Sequence, residues 1–249
     1  MTSDNLDRRK VLRVSGPEAR EFLQNLVTND VTKLDKGPVY AALLTPQGKL
    51  IADFLMVPEG EAILIDVAEE WAAGLLQRLS MYKLRAKVSV EMTDLQVRRG
   101  TGDAPEGAVT DPRNPALGWR MYGEAAGDDG SDFEAIRVAH GVPLSGVELG
   151  PESYILEMGF ERLNGVDFRK GCYVGQEVTA RMKHKTELRK GLKIVRVDGA
   201  APVGTEIAAA GKPAGTLYTQ AGDMALAYLR FDRVGPEMSA GDAKVTPLD

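Results

Sequence analysis

The single cysteine in 249 residues stands at position 172, inside RKGCYVGQEVTAR (169–181). A lone cysteine is most often a small buried hydrophobe. Here Arg169 and Lys170 precede it and Gln176 and Glu177 follow, a polar setting that favours an accessible thiol. Lys170 is close enough in sequence to favour the thiolate and raise reactivity, so Cys172 and Lys170 form the candidate reactive pair. Gly171 and Gly175 bracket a short polar turn that can bring backbone N–H groups near a ligand. One thiol excludes an internal disulfide and any thiolate-rich zinc or cluster site built by this chain alone. With His140 and His184 the only histidines, a His-rich catalytic metal centre lacks support and no metal ligands are assigned. Neither histidine is marked as a general base, so a Cys–His hydrolase lacks its partners. No G-x-G-x-x-G or P-loop pattern supports a nucleotide cofactor. RMKHKTELRK (181–190) reads as a solvated basic linker face, or otherwise as a local anion-binding patch.

Around these residues the composition is that of an ordinary globular protein, with 43% hydrophobic and 27% charged residues. Thirty-one basic against 36 acidic residues give a net charge of −5, so direct nucleic-acid binding is not expected. No apolar run approaches a membrane span. The opening MTSDNLDRRKVLRV is polar and has no leader-like apolar region, which, with the low cysteine use, places the protein in the cytoplasm.

The positioning elements follow from periodicity. KVLRVSG (10–16) reads as a strand, and PEAREFLQNLVTND as a helix with Phe22, Leu23, Leu26 and Val27 on one face. VYAALLTPQGKLIADFLMV (39–57) is a pair of strands around Pro46-Gln47-Gly48, and EAILIDVA (61–68) a third strand. Glu69 to Tyr82 has helical spacing, and AKVSVEM (86–92) returns to strand, giving an α+β unit with an antiparallel sheet. A helix over FEAIRVAHG closes at Gly141. From about 186 onward, short alternating runs separated by glycines predict a small all-β, barrel-like module.

RKGCYVGQEVTAR resembles the signature of the YgfZ-like folate-binding proteins, whose mitochondrial members assist iron–sulfur cluster maturation. NLVTNDV (25–31), LLTPQGKLIADFLM (43–56), DPRNPALGWR (111–120) and NGVDFRKGCYVGQE (164–177) carry the resemblance over roughly residues 8 to 240. All but the third are also similar in style to the glycine-cleavage T-protein. The resemblance implies an α+β fold with three subdomains around a folate-binding opening. These are a discontinuous N-terminal subdomain (1–38 and 93–185), a ferredoxin-like part (39–92) and a C-terminal small β-barrel (186–249). It implies tetrahydrofolate or a related reduced folate as ligand, with Asn29, Asp30, Tyr173, Gln176 and Glu177 toward the pterin and Lys170 and Arg181 toward the tail carboxylates. It also implies that Cys172 serves iron–sulfur carrier or client proteins: one thiol cannot hold a cluster alone, so it would ligate a transient cluster shared with a partner, exchange with a partner's disulfide or persulfide, or protect a cluster during transfer. The implied function is a folate-binding accessory role in iron–sulfur cluster assembly or repair, indirectly supporting cluster-dependent tRNA modification. The alternative is a tetrahydrofolate-dependent, aminomethyltransferase-like one-carbon transferase, for which Asp53 or Asp30 would supply a carboxylate. Asp53 sits in a strand pattern where a surface position is equally expected.

Overall fold

Strand alternation at the N-terminus finds its partners far along the chain. β1 (Arg9–Ser15) pairs antiparallel with β4 (Ala62–Ala68) on one side and β5 (Ser89–Met92) on the other. With β2 (Val39–Leu44) and β3 (Leu50–Glu59) they form an antiparallel sheet ordered β2–β3–β4–β1–β5. The structure, a computed structural model, describes residues 8–185 and 187–248. The polar start 1–7, Thr186 within the basic run and Asp249 lie outside the described residues.

Helix α1 (Ala19–Gln24) is shorter than its apolar spacing predicts. The chain leaves it at Asn25, and Val31–Asp35 forms a separate 3-10 turn capped by the Asp30 carboxylate, which accepts the Thr32 N–H at 3.0 Å. Helix α2 (Glu69–Tyr82) starts with Glu69 and Glu70 against the positive end of its dipole and buries Ala72, Leu75 and Leu79 at helical spacing. Its apolar face joins Leu12 and Val14 of β1, Phe54 and Met56 of β3, and Ile63 and Ile65 of β4 in the main core.

The path β1–α1–β3–β4–α2–β5, ordered β5–β1–β4–β3 in the sheet, is a ferredoxin-like split βαβ with β2 added at one edge. The boundary expected between residues 38 and 39 therefore divides a single sheet. The ferredoxin-like part takes β1 and α1 from the N-terminal segment. On the opposite face Val11, Val57 and Leu64 pack against Leu95, Val97, Val109 and Tyr122. These last four come from or adjoin a second sheet of β6 (Gln96–Gly100), β7 (Val109–Thr110), β8 (Trp119–Gly123) and β9 (Gly127–Asp128). Residues through Ser131, with Glu161–Val178, make up this unit.

The second unit comprises Asp132–Phe160 and the chain from Thr179 onward. Residues 132–160 thus belong with the C-terminal strands, not with the N-terminal subdomain as expected. Its strands β10 (Lys190–Asp198), β11 (Glu206–Ala209), β12 (Lys212–Ala221), β13 (Met224–Arg230), β14 (Met238–Ala240) and β15 (Ala243–Pro247) close into a barrel. Val195, Val197, Ile207, Leu217, Leu229 and Val245 fill it. Helix α3 (Phe133–Ala139) is capped by Asp132, which accepts the Ala135 N–H at 2.9 Å. Its buried Arg137 meets Glu148 at 3.0 Å and the Thr219 hydroxyl at 2.5 Å. Among the described residues no helix is long and apolar enough to cross a membrane. Helix α4 (Gln176–Lys185) follows the cysteine; the basic run from Arg181 through Lys185, expected as linker, is its second half.

Candidate functional site

The segment leading to Cys172 is tied to the Thr28-Asn29-Asp30 turn. The Thr28 hydroxyl donates to the Gly165 carbonyl at 2.7 Å and accepts the Ala42 N–H at 2.9 Å. The Asp167 N–H returns to the Thr28 carbonyl at 3.0 Å. Asn29 donates both amide hydrogens, to the carbonyls of Tyr40 (2.8 Å) and Asn164 (2.6 Å). Its Oδ1 accepts the Asp30 N–H (2.8 Å) and Lys33 Nζ (2.9 Å). That is the full capacity of a carboxamide. Asp167 completes the tie through a 2.6 Å ion pair with Lys33. The stretches NLVTNDV and NGVDFRKGCYVGQE are therefore halves of one hydrogen-bonded joint.

Lys170 is the centre of that joint. Its ammonium donates to the carbonyls of Gln24 (2.7 Å), Val27 (2.5 Å) and Asn29 (3.0 Å). Three donors meet three acceptors, among them carbonyls left without partners where α1 ends. Burial lowers the Lys170 pKa to about 8, against the upward pull of Asp30 and Asp167. Its Nζ also lies 5.2 Å from the ring centre of buried Tyr173.

Between these anchors the chain rises to the surface, and Cys172 is exposed on a loop four residues before α4 begins. Beyond Tyr173 the chain is fixed again. Gly175 has φ +82°, and a Cβ there would stand 2.5 Å from the Thr45 carbonyl oxygen. Gly48, φ +76°, is equally constrained: its Cβ would meet Val178 Cβ at 2.8 Å. The Pro46-Gln47-Gly48 turn and the start of α4 thus pack with no room for side chains. Gly171 differs, since a Cβ there meets nothing within 4 Å. The fold does not require that glycine. Gln176 is half-buried at the start of α4, whereas Glu177 and Arg181 are exposed.

Two of the residues expected at a folate, Asn29 and Lys170, are engaged by the protein itself. Asn29 is 2% exposed with its amide fully engaged, and the Asp30 carboxylate accepts from Thr32 N–H and Gln24 Nε2 (3.2 Å). Lys170 has no donor left for a carboxylate tail or for the thiol. Asn29 and Lys170 are thus committed to the joint, and the nucleophile that the segment exposes is the Cys172 thiol.

Asp53 also departs from expectation. It is buried, because β3 is covered on both faces, and it accepts the Tyr40 hydroxyl at 2.9 Å. Burial, then the Asp53 charge, push the Tyr40 hydroxyl well above its ordinary pKa. Arg113 stands 5.6 Å from the Tyr40 ring centre and grips Asp111 with two bonds, at 3.0 and 2.7 Å. Arg120 links Asp111 to Asp66 at 3.0 Å each, and Arg9 and Tyr122 complete the shell of Asp66 at 2.5 and 2.9 Å. Sequence reasoning misses this buried network. Its one signal is the charged Asp-Pro-Arg in an otherwise loop-like stretch.

Residues 189–249 match the family model described as the CAF17 C-terminal beta-barrel domain. The mouse (Mus musculus) mitochondrial iron–sulfur cluster assembly factor IBA57 is 31% identical to this chain, the match covering 94% of the chain and 79% of that protein. The human protein of the same name is 30% identical, with 93% and 78% covered. The chain belongs to the IBA57 family. The Neurospora crassa homologue is 32% identical over 79% of the chain but only 54% of its own length, so this IBA57-family chain spans about half of that relative. The aminomethyltransferase T of the glycine cleavage system from Bartonella henselae superposes with a TM-score of 0.76 at 12% identity, over 98% of the chain and 83% of that structure. At that identity the likeness establishes the T-protein-like fold alone. The comparisons overturn the cytoplasmic expectation, because the matched relatives are named mitochondrial proteins. Scarce cysteine reports a setting without disulfides and carries no compartment address.

Proposed function

We propose that this IBA57-family chain is an accessory factor for iron–sulfur cluster assembly or repair, with Cys172 as its working group. The observation that carries the reading is an exposed thiol on a loop anchored on one side by Lys170 and on the other by Gly175. The names of the mouse and human relatives support the assembly role. The cluster is cargo. Cys172 releases its proton to solvent, and its thiolate ligates one iron of a cluster presented by a carrier or client protein. The remaining ligands come from that partner, since the chain has one cysteine. Bare Gly171 leaves the approach to the sulfur open. Lys170 acts as a positioning residue, fixing the base of the loop. Support of cluster-dependent tRNA-modifying enzymes is the downstream consequence in this proposal. Binding of a reduced folate enters only as an expectation of the scaffold, and calorimetric titration with tetrahydrofolate tests it separately.

The deciding experiment is anaerobic mixing with a cluster-loaded carrier protein, read by visible absorbance and by size-exclusion chromatography. Wild type forms a coloured complex. Cys172→Ser stays folded by circular dichroism and forms none. Equal complex formation by both proteins overturns the thiol role and leaves the family assignment standing.

A further inference from the structure

The five-stranded sheet has one covered edge and one bare edge. At β2 the 27–28 segment supplies the cover: Val27 bridges Leu43, and the Thr28 N–H donates to the Ala42 carbonyl at 3.0 Å. Among the described residues β5 has no such neighbour. The Thr93 N–H donates to the Val11 carbonyl at 2.9 Å, which fixes the alternation along this pair. Arg13–Glu91 and Ser15–Ser89 are then the bonded pairs, and the N–H and C=O groups of Val90 and Met92 point away from β1. Among the described residues nothing pairs with that outer edge.

The connection entering β5 has two further peculiarities. Leu84 is 86% exposed and sits at φ +43°, and Met81 is 59% exposed just before it. Holding leucine in the left-handed region costs on the order of 1 kcal/mol, and no packing of its side chain offsets that. Around them Arg78, Lys83, Arg85 and Lys87 have no carboxylate partner among the described residues, while Glu91, the acid on β5, faces Arg13 at 3.8 Å and the Glu18 carboxylate accepts the Lys87 backbone N–H.

We propose that this corner docks an extended acidic segment of a partner protein, which adds as a strand to β5 and seats an apolar side chain against Leu84 and Met81. Strand addition satisfies the outward groups of Val90 and Met92, and the cations select the partner's sign. A second copy of this chain is disfavoured, because it would set four cations against the same four. A lipid surface suits the apolar and basic residues but would leave the strand edge unpaired.

The test uses the full chain, isotope-labelled for amide resonances. It is titrated with a synthetic octapeptide alternating Glu and Val, with a Lys–Val counterpart, and with phosphatidylcholine–phosphatidylglycerol vesicles. The acidic peptide is expected to shift the amides of Val90 and Met92 and slow their hydrogen exchange, with no response to the other two. Val90→Pro removes an outward donor without touching the bonds to β1, and should weaken binding roughly tenfold. Leu84→Gly relieves the left-handed strain, so it should raise thermal stability while weakening binding, a split that a purely structural role does not give. Lys83→Glu/Arg85→Glu should abolish the peptide's effect while the fold remains. Undiminished binding by these variants, a response to vesicles alone, or no peptide binding at millimolar concentration overturns the proposal.

Discussion

Lys170 and Cys172 are two residues apart, yet one is 7% exposed among backbone carbonyls and the other stands in solvent. Substitution should separate them. Lys170→Met strands the carbonyls of Gln24, Val27 and Asn29, and should lower stability by about 2–4 kcal/mol in urea denaturation. Cys172→Ser should change it by less than about 0.5 kcal/mol, as for most exposed sites. A pH dependence accompanies the first substitution. Burial depresses the Lys170 pKa from 10.5 in the unfolded chain to about 8 in the folded one, so between those values the unfolded chain holds more protons. Stability from this group therefore rises with pH across that window, by at most roughly 3 kcal/mol. The stability gap between wild type and Lys170→Met should widen as a urea denaturation series moves from about pH 7.5 to about pH 10. An unchanged gap would show that the three carbonyl hydrogen bonds offset the burial of the ammonium.

At the scale of elements, two glycines of one motif have different reasons to be glycine. Gly175→Ala forces a Cβ to 2.5 Å from the Thr45 oxygen at a positive φ, against backbone that cannot swing aside. It should destabilise by about 2–4 kcal/mol and displace the 45–48 turn. Gly171→Ala meets open space and should leave stability within about 0.5 kcal/mol. If the open approach to the sulfur matters, it slows cluster exchange instead, as stopped-flow absorbance would show. Both glycines look alike in RKGCYVGQEVTAR, because sequence records a missing side chain and not what would collide with one. α2 was legible for the opposite reason. Leu75 and Leu79 repeat on one face of a long helix, a signal that needs no knowledge of distant chain.

Across the first unit as a whole, buried charge links the two sheets. Desolvation opposes ionisation of Asp66, but Arg9 and Arg120 outweigh it and hold the carboxyl below its ordinary range. Asp111 is likewise buried, and Arg113 and Arg120 hold it low. Folded-state values depressed below the unfolded 3.8 mean that these groups stabilise the fold above that pH and lose the contribution as pH falls through the folded values. Thermal unfolding followed downward from neutral pH should show stability falling steeply once carboxyls of the unfolded chain protonate. Asp111→Asn should flatten that fall and cost about 3–5 kcal/mol at neutral pH, because Arg113 and Arg120 lose a buried counter-charge. A neutral-pH loss below about 1 kcal/mol would show the network to be dispensable.

By itself the sequence determined what local periodicity and turn chemistry can encode: α2, the hairpin at Pro46-Gln47-Gly48, the alternating barrel strands, and the cysteine-centred motif. Tertiary structure alone decided which strand lies beside which, and so where β1 belongs and which edge stays bare. It decided that Lys170 turns to carbonyls more than 140 residues earlier in the chain, and that Asp53 lies under two covered faces. Pairing between distant segments leaves no period in either of them. A polar side chain reads the same in sequence whether its partner is water, a ligand or the backbone of a strand far along the chain.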